Sequence, residues 1–145
     1  MTAKIGSKPK AVVYSFEGRW EDSLRSGKVR VFFRKRRPVN VPERIYLYVG
    51  VPIKKIIGYA EVDKIADISQ SEAISIKSYG HITKDEIVTY MGERKYINAI
   101  YIKNHKIFKT PLSLNFLEEN FGFNPPQSFS NLDEKMEAEF IASGR

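Results

Sequence analysis

Short runs of β-branched and aromatic residues recur along the chain, separated by polar segments that contain Gly or Pro. Runs of this composition and length predict β-strands. The predicted strands cover Lys10–Phe16, Val29–Phe33, Arg44–Gly50, Ile56–Val62 and Tyr96–Lys103. Gly58 interrupts the fourth run and predicts a β-bulge. A hairpin turn is expected at Asn104–His105.

Helices are predicted between these strands from capping and stop signals. Thr83 and Glu86 form a capping box, and Gly92 stands where the following helix should end. The other predicted helices are Glu17–Ser26 before Gly27, a weakly patterned stretch at Ser69–Gly80, a helix that opens at Thr110–Pro111 and ends before Gly122, and a short one within Asp133–Ile141.

The order of these elements indicates the fold class. Because the strands are not regularly interleaved with crossover helices, an α+β fold is predicted, with a mixed or antiparallel sheet curled into a small β-barrel and short helices beside it. A length of 145 residues fits one domain. We expect a loose tail at residues 1–9, the domain at residues 10–132, and a C-terminal helix or tail at residues 133–145.

Composition excludes several kinds of site. The chain has no Cys and two His, His81 and His105. This rules out disulfides, iron–sulfur clusters, thiolate zinc sites and multi-histidine metal centres, so no metal and no cofactor are expected. The N-terminal segment has no apolar signal region, and the longest apolar run, Ile45–Ile53, is too short to span a bilayer. A cytoplasmic protein without membrane contact is therefore expected.

The positive charge is concentrated in one half of the chain. Residues 1–58 hold 14 Lys and Arg against 4 Asp and Glu, whereas residues 59–145 hold 10 against 13. The run from Lys28 to Arg37 carries much of the excess. Such a basic stripe favours a polyanionic partner, and nucleic acid first. A solvated basic face that keeps the protein dispersed is the alternative.

The alternation in the second strand places this charge on one face. Val29, Val31 and Phe33 share an apolar face, and the opposite face is predicted to carry four cations around one aromatic ring. These five residues are Lys28, Arg30, Phe32, Arg34 and Arg36. Guanidinium groups bind phosphates and a ring can stack on a base, so this face is the candidate nucleic-acid site.

Two further residues complete the candidate site. Ser15 stands where the first strand meets the first helix, and its hydroxyl could bind a ligand or cap that helix. Trp20, the one tryptophan, could form a wall of the site or anchor the core. The loop Tyr79-Gly80-His81 is read as surface, with stacking on a base or donation to it as the alternative. Pro125-Pro126-Gln127-Ser128 is read as a structural clamp over the barrel.

Several segments together resemble the ASCH domain, a branch of the PUA-like fold. The matching stretches are Ser15–Gly18, the helix with Trp20 followed by Gly27–Arg36, Arg44–Gly58, Tyr90–Ile102 and Pro111–Phe129. Their order and spacing resemble most the branch described as predicted transcriptional regulators. The resemblance implies that the cleft of a PUA-like barrel binds a ligand, with Arg34 at the matching position of the motif.

The departures from that family concern catalysis. Aligned on Gly27 and Arg34, Val29 stands where the family has a motif Lys, and Phe32 where it has Glu. Similar bacterial ASCH enzymes hydrolyse N4-acetylcytidine with that Lys and a Thr at the Glu position. Val and Phe cannot abstract a proton or form an acyl intermediate, so that chemistry does not carry over and no catalytic residue is assigned.

The sequence therefore predicts a domain that binds RNA, or a single-stranded or modified base, in a basic cleft and acts in regulation. Intact duplex is disfavoured, because a stacking ring needs an exposed base face. Two alternatives remain open. One is a hydrolase, either a ribonuclease or a modified-nucleoside amidohydrolase, with a different catalytic set. The other is a protein-interaction adaptor whose basic face meets an acidic partner.

Overall fold

The computed structural model describes residues 10–145 and contains one six-stranded mixed sheet. Its strands are β1 (Ala11–Phe16), β2 (Val31–Arg34), β3 (Arg44–Val49), β4 (Lys55–Ser69), β5 (Tyr96–Ser113) and β6 (Phe129–Leu132). They lie in the order β2-β5-β4-β3-β1-β6. β1 and β3 are parallel and every other neighbouring pair is antiparallel. The predicted tail at residues 1–9 lies outside the described residues.

The α+β class is confirmed, but the sheet is not closed into a barrel. Closure would require the two edge strands, β2 and β6, to pair with each other, and within residues 10–145 they do not. Both are only four residues long, and each pairs with one neighbour, β5 or β1. The sheet is bent instead by the register shifts of β4 against β5.

The hairpin predicted at Asn104–His105 is wrong, because both residues lie inside the long strand β5, which pairs with the long strand β4. β5 continues without reversal from Tyr96 to Ser113, because its pairing with β4 runs through both halves. Asn104 has a positive φ of 51°, which marks an irregularity inside the strand and not a turn. The bulge predicted at Gly58 is confirmed, and a side chain there would collide with the backbone of Lys106.

The helices are α1 (Glu21–Arg25), α2 (Gln70–Ser75), α3 (Lys84–Met91), α4 (Leu114–Phe121) and α5 (Glu134–Gly144), with 3-10 turns at Gly18–Trp20 and Lys77–Gly80. The capping box of Thr83 and Glu86 is confirmed at the start of α3. The helix predicted from Thr110 begins only at Leu114, where the Ser113 hydroxyl accepts the N–H of Phe116 at 3.2 Å. No helix within residues 10–145 is long and apolar enough to cross a membrane.

Apolar side chains cover both faces of the sheet. On the inner face, Tyr14 and Phe32 pack with residues of α1, β3, β4 and β5. On the outer face, Val31 and Phe33 pack beneath α2 and α3, while Phe140 of α5 fills a third cluster. The short β2 is therefore buried on both of its faces, and its end, where Arg34 lies, opens into the site described next.

Candidate nucleic-acid interface

A cleft of about 450 Å³ opens where β1 and β2 end beside α3 and the segment that precedes β6. We call it the Arg34 cleft. It is lined by Ser15, Glu17, Trp20, Arg34, Lys35, Arg36, Tyr90, Gln127 and Ser128. Four of the seven residues predicted from the sequence meet here, and three side chains are cationic against one carboxylate. The cleft therefore has the charge expected of an anion site.

Arg34 lies half-buried at the floor of this cleft. Its guanidinium carbon is 4.8 Å from the ring centroid of Phe16 and 4.9 Å from that of Phe32. One terminal nitrogen donates to the Ser15 carbonyl at 2.9 Å and the other to the Phe33 carbonyl at 3.1 Å. These contacts hold the guanidinium plane in place and leave further N–H donors directed elsewhere.

The charge of Arg34 has no acidic partner within residues 10–145. No carboxylate oxygen of this part of the chain lies within 4.0 Å of its nitrogens. Burial lowers the pKa of Arg34, although an arginine remains protonated at neutral pH. A desolvated cation that is held by carbonyls and ring faces, but not neutralised, can bind an anion strongly.

Ser15 connects the floor of the cleft to its rim. Its hydroxyl donates to the Pro126 carbonyl at 2.6 Å, and its N–H donates to the Ser128 carbonyl at 3.3 Å. Since its carbonyl also accepts from Arg34, Ser15 positions both sides of the cleft. The alternative role as a helix cap is not observed, because the first helical turn begins after Glu17 and has no side-chain cap.

Lys35 and Tyr90 border the cleft on the side where α3 packs against the end of β2. The ammonium group of Lys35 lies 4.7 Å from the Tyr90 ring centroid, and its backbone N–H donates to the Tyr90 hydroxyl at 3.1 Å. Neither Tyr90 nor Lys35 was among the predicted site residues. Only the packing of α3 against β2 brings them to the cleft, although the capping box at Thr83 does set the position of that helix.

Trp20 has both of the roles considered for it. Its half-buried indole packs against the inner core cluster and also borders the cleft. The guanidinium carbon of Arg19 lies 4.5 Å from the indole centroid on the solvent side. Arg36 is exposed at the rim, where its carbonyl accepts the Tyr14 hydroxyl at 3.0 Å.

Phe32 does not face the ligand side of the cleft, which corrects the predicted basic-aromatic face. Its ring is 6% exposed and packs edge-on against Tyr14, with centroids 5.2 Å apart, and against Phe16, 4.9 Å apart. The alternation in β2 predicted one buried face and one face open to solvent. The sheet curls, however, so Tyr14 and Phe16 of β1 also cover the face that carries Phe32. The ring supports Arg34 from below and has no face free for a base.

Lys28 and Arg30 are exposed at the opposite end of β2 and do not line the Arg34 cleft. The backbone N–H of Lys28 donates to the Ser23 carbonyl at 3.2 Å, and that of Arg30 to the Tyr79 carbonyl at 2.7 Å. At about 3.3 Å per residue of extended chain, Arg30 lies about 13 Å from Arg34, and Lys28 lies farther away. A role in binding stays a prediction for both.

Acid–base groups are few in the Arg34 cleft. Glu17 is the one carboxylate that lines it, and it pairs with Arg19 at 3.4 Å. Neither histidine reaches it, since His81 contacts the Ser23 hydroxyl and His105 the Val29 carbonyl. Within residues 10–145, no three His, Cys, Asp or Glu side chains come together as metal ligands.

Comparison with known proteins finds similar proteins that carry the ASCH domain in their names. No family model matches it. An ASCH domain-containing ribonuclease from Zymomonas mobilis is 29% identical over 127 residues, which cover 83% of each protein. The crystal structure of ASCH from Zymomonas mobilis is 25% identical, with a TM-score of 0.85 over 92% of this chain and 94% of that one.

A more distant match shows the fold alone. The N-terminal domain of Staphylothermus marinus McrB is 12% identical, with a TM-score of 0.63 over 94% of this chain and 95% of that one. The predicted branch of transcriptional regulators is not represented among the matches described here and stays a prediction. The order of the sequence motifs, the mixed sheet and the Zymomonas matches agree, and the chain resembles ASCH-domain proteins in both sequence and fold.

Proposed function

We propose that the chain binds single-stranded RNA in the Arg34 cleft. The observation that carries the proposal is the half-buried guanidinium of Arg34, which no carboxylate of residues 10–145 neutralises. Phosphodiester oxygens accept two parallel N–H bonds from arginine and supply the missing negative charge. Lys35 and Arg36 at the rim add charge for the neighbouring phosphates.

Ring faces at the rim favour single strands over duplex. Trp20 and the 37% exposed ring of Tyr90 border the cleft on the side of Arg34. Bases stack on such rings only when they are unpaired, since duplex RNA hides their faces. The Zymomonas relative is named a ribonuclease, which makes RNA the first candidate substrate here.

Cleavage of RNA is the second candidate function. The name of the Zymomonas relative, a ribonuclease, is the observation that favours it. Here the Arg34 cleft holds the hydroxyls of Ser128 and Tyr90. The Tyr90 hydroxyl accepts the Lys35 N–H and keeps its own proton to donate to a leaving oxygen. Arg34 would stabilise the charge of the phosphorane-like transition state.

The modified-nucleoside amidohydrolase alternative has less support. Val29 and Phe32 occupy the two positions that this chemistry uses in similar enzymes, and they are 2% and 6% exposed. Neither side chain has a group that transfers a proton. The adaptor alternative, and a regulatory role, stay open and are tested by competition: an acidic protein partner would displace RNA from the same cleft.

The test compares Arg34→Gln with the matched control Lys109→Gln, which removes one charge from an exposed position of β5 outside the cleft. Affinity for a fluorescent single-stranded RNA is measured by anisotropy across a salt series. Loss of a charge-assisted bond of about 1.5–3 kcal/mol lowers affinity roughly 10-fold to 150-fold, and the salt slope falls by about one. Arg34→Lys, which keeps the charge, should bind between the two.

Thermal unfolding of each variant separates a folding defect from a binding defect. RNA binding is wrong as a function of this cleft if folded Arg34→Gln binds like Lys109→Gln. Gel analysis of the same RNA after incubation decides the second candidate: cleavage by the wild type that Tyr90→Phe abolishes supports a ribonuclease, and intact RNA refutes it.

A further inference from the structure

A second cleft, of about 410 Å³, lies at the other end of β2. We call it the Arg30 cleft. Its walls include Gly27, Arg30, Asp63, Tyr79, Tyr101, Lys103 and His105. Asp63 is the one carboxylate among them, and it lies 3.5 Å from the Lys103 ammonium, so the charge of Arg30 is not the one that it neutralises. None of these residues lines the Arg34 cleft.

Arg30 and Tyr79 are held side by side in this cleft. The N–H of Arg30 donates to the Tyr79 carbonyl at 2.7 Å, which ties the start of β2 to the 3-10 turn Lys77–Gly80. The Tyr79 ring is 53% exposed, and the Arg30 side chain is exposed beside it. An aromatic ring and a guanidinium that line the same cleft can bind the base and the phosphate of one nucleotide.

His105 adds a hydrogen-bond acceptor. Its Nε2 lies 2.8 Å from the Val29 carbonyl, and since a carbonyl only accepts, Nε2 carries the proton. Burial lowers the pKa of His105, so the ring is neutral at neutral pH and Nδ1 keeps its lone pair. Nδ1 faces Gly27, 3.9 Å from the position of a Cβ there. An exocyclic amine or a ribose hydroxyl can donate to it.

The two clefts lie along one surface. Arg30 and Arg34 are four residues apart on extended backbone, about 13 Å, and by alternation their side chains leave it on the same face. The Ile102 N–H donates to the Arg30 carbonyl at 2.9 Å, which continues the pairing of β2 with β5 as far as Arg30. A smaller depression, which Gly80 and Ile82 also border, adjoins the Arg34 cleft and shares Trp20 and Arg34 with it.

We propose that the Arg30 cleft is a second nucleotide subsite, which binds a further nucleotide of the RNA strand that Arg34 anchors. Tyr79 stacks on the base, Arg30 binds the adjoining phosphate, and His105 accepts a hydrogen bond from the nucleotide. The inference rests on the function proposed for the Arg34 cleft. Arg30, which was predicted to bind nucleic acid but does not line the Arg34 cleft, would bind in this second subsite.

The test uses two single-stranded RNAs, one of about 12 nucleotides that spans both clefts and one of about 3 that fits one cleft. Trp20 is the single tryptophan and borders the Arg34 cleft, so its fluorescence reports binding of either RNA there. The variants are Arg30→Gln with Tyr79→Ala, the ring-preserving Tyr79→Phe, and Lys109→Gln as the charge control.

The double variant should bind the longer RNA roughly 10-fold to 100-fold more weakly and the shorter RNA within about 2-fold of wild type. Tyr79→Phe should match wild type on both. The subsite is refuted if the double variant binds the longer RNA normally, or weakens both RNAs equally, while Arg34→Gln still lowers binding; the function of the Arg34 cleft then stands. If wild type binds neither RNA, both proposals are wrong.

Discussion

Glu137 is the buried acid whose replacement tests the packing of α5 against the sheet. Its side chain is 6% exposed and lies between α5 and β3. The Arg44 guanidinium donates two bonds to its carboxylate, one of them at 3.0 Å, and the Tyr46 hydroxyl donates another at 2.8 Å. We expect Glu137→Gln to destabilise the fold, because an amide presents one acceptor and one donor to these three donors.

The size of the effect follows from the bonds that are lost. Hydrogen bonds to a charged group contribute about 1.5–3 kcal/mol each, and the amide preserves part of the set, so the variant should lose about 2–3 kcal/mol. For a domain near this length, each kcal/mol lowers the melting temperature by about 2–4 °C. A decrease of roughly 5–10 °C is therefore expected at neutral pH.

The effect should also depend on pH. Burial raises the pKa of Glu137, but the hydrogen bonds from Arg44 and Tyr46 outweigh it and hold that pKa below its ordinary value. A carboxyl with a lowered pKa in the folded state stabilises above its unfolded pKa, and this stability is lost as pH falls through the folded pKa. The difference between wild type and Glu137→Gln should therefore be full at pH 7 and shrink below about pH 4.

Urea unfolding followed by circular dichroism measures both effects, with Glu139→Gln as the control, since Glu139 is exposed on the same helix. The control should stay within about 0.5 kcal/mol of wild type. Equal stabilities of Glu137→Gln and Glu139→Gln at pH 7 would refute the reasoning, and so would a difference that does not change in acid.

Two further substitutions test the core and a helix start. Phe32→Ala should cost about 3–5 kcal/mol of unfolding free energy in urea, because it empties a site packed by Tyr14 and Phe16, and Phe32→Leu should cost less. A Phe32→Ala variant as stable as the wild type would contradict this packing role. Thr83→Ala should cost about 1 kcal/mol, because it removes the acceptor of the Glu86 N–H, and calorimetry that shows no change would contradict a capping role.

Signals carried by adjacent residues were reliable in this chain. The capping box at Thr83 and the helix ends at Gly27 and Gly122, where φ is 73° and 63°, are where the sequence predicts them. Each depends on the conformation of one turn, so distant residues hardly affect it. The bulge at Gly58 belongs to the same group, because only glycine tolerates the close approach of the neighbouring strand.

Long-range pairing and burial were predicted less well. The turn expected at Asn104–His105 looked plausible locally, but β4 pairs along the whole of β5 and keeps the chain extended. The barrel was expected because the strands are not regularly interleaved with crossover helices, whereas closure depends on where the two edge strands end. Burial of Phe32 depends on Tyr14 and Phe16, which come from a different strand and are invisible to the alternation within β2.

The sequence by itself determined the α+β class, the resemblance to the ASCH domain, the concentration of positive charge and the choice of Arg34 as a candidate site residue. These follow from residue type, local periodicity and motif order. Only the tertiary structure decided that Arg34 has no acidic partner in residues 10–145, that Tyr90 and Ser128 share its cleft, and that Arg30 belongs to another. The physical reason is that desolvation and charge pairing depend on which distant segments pack together. The residue pattern of one strand does not show which segments will pack against it.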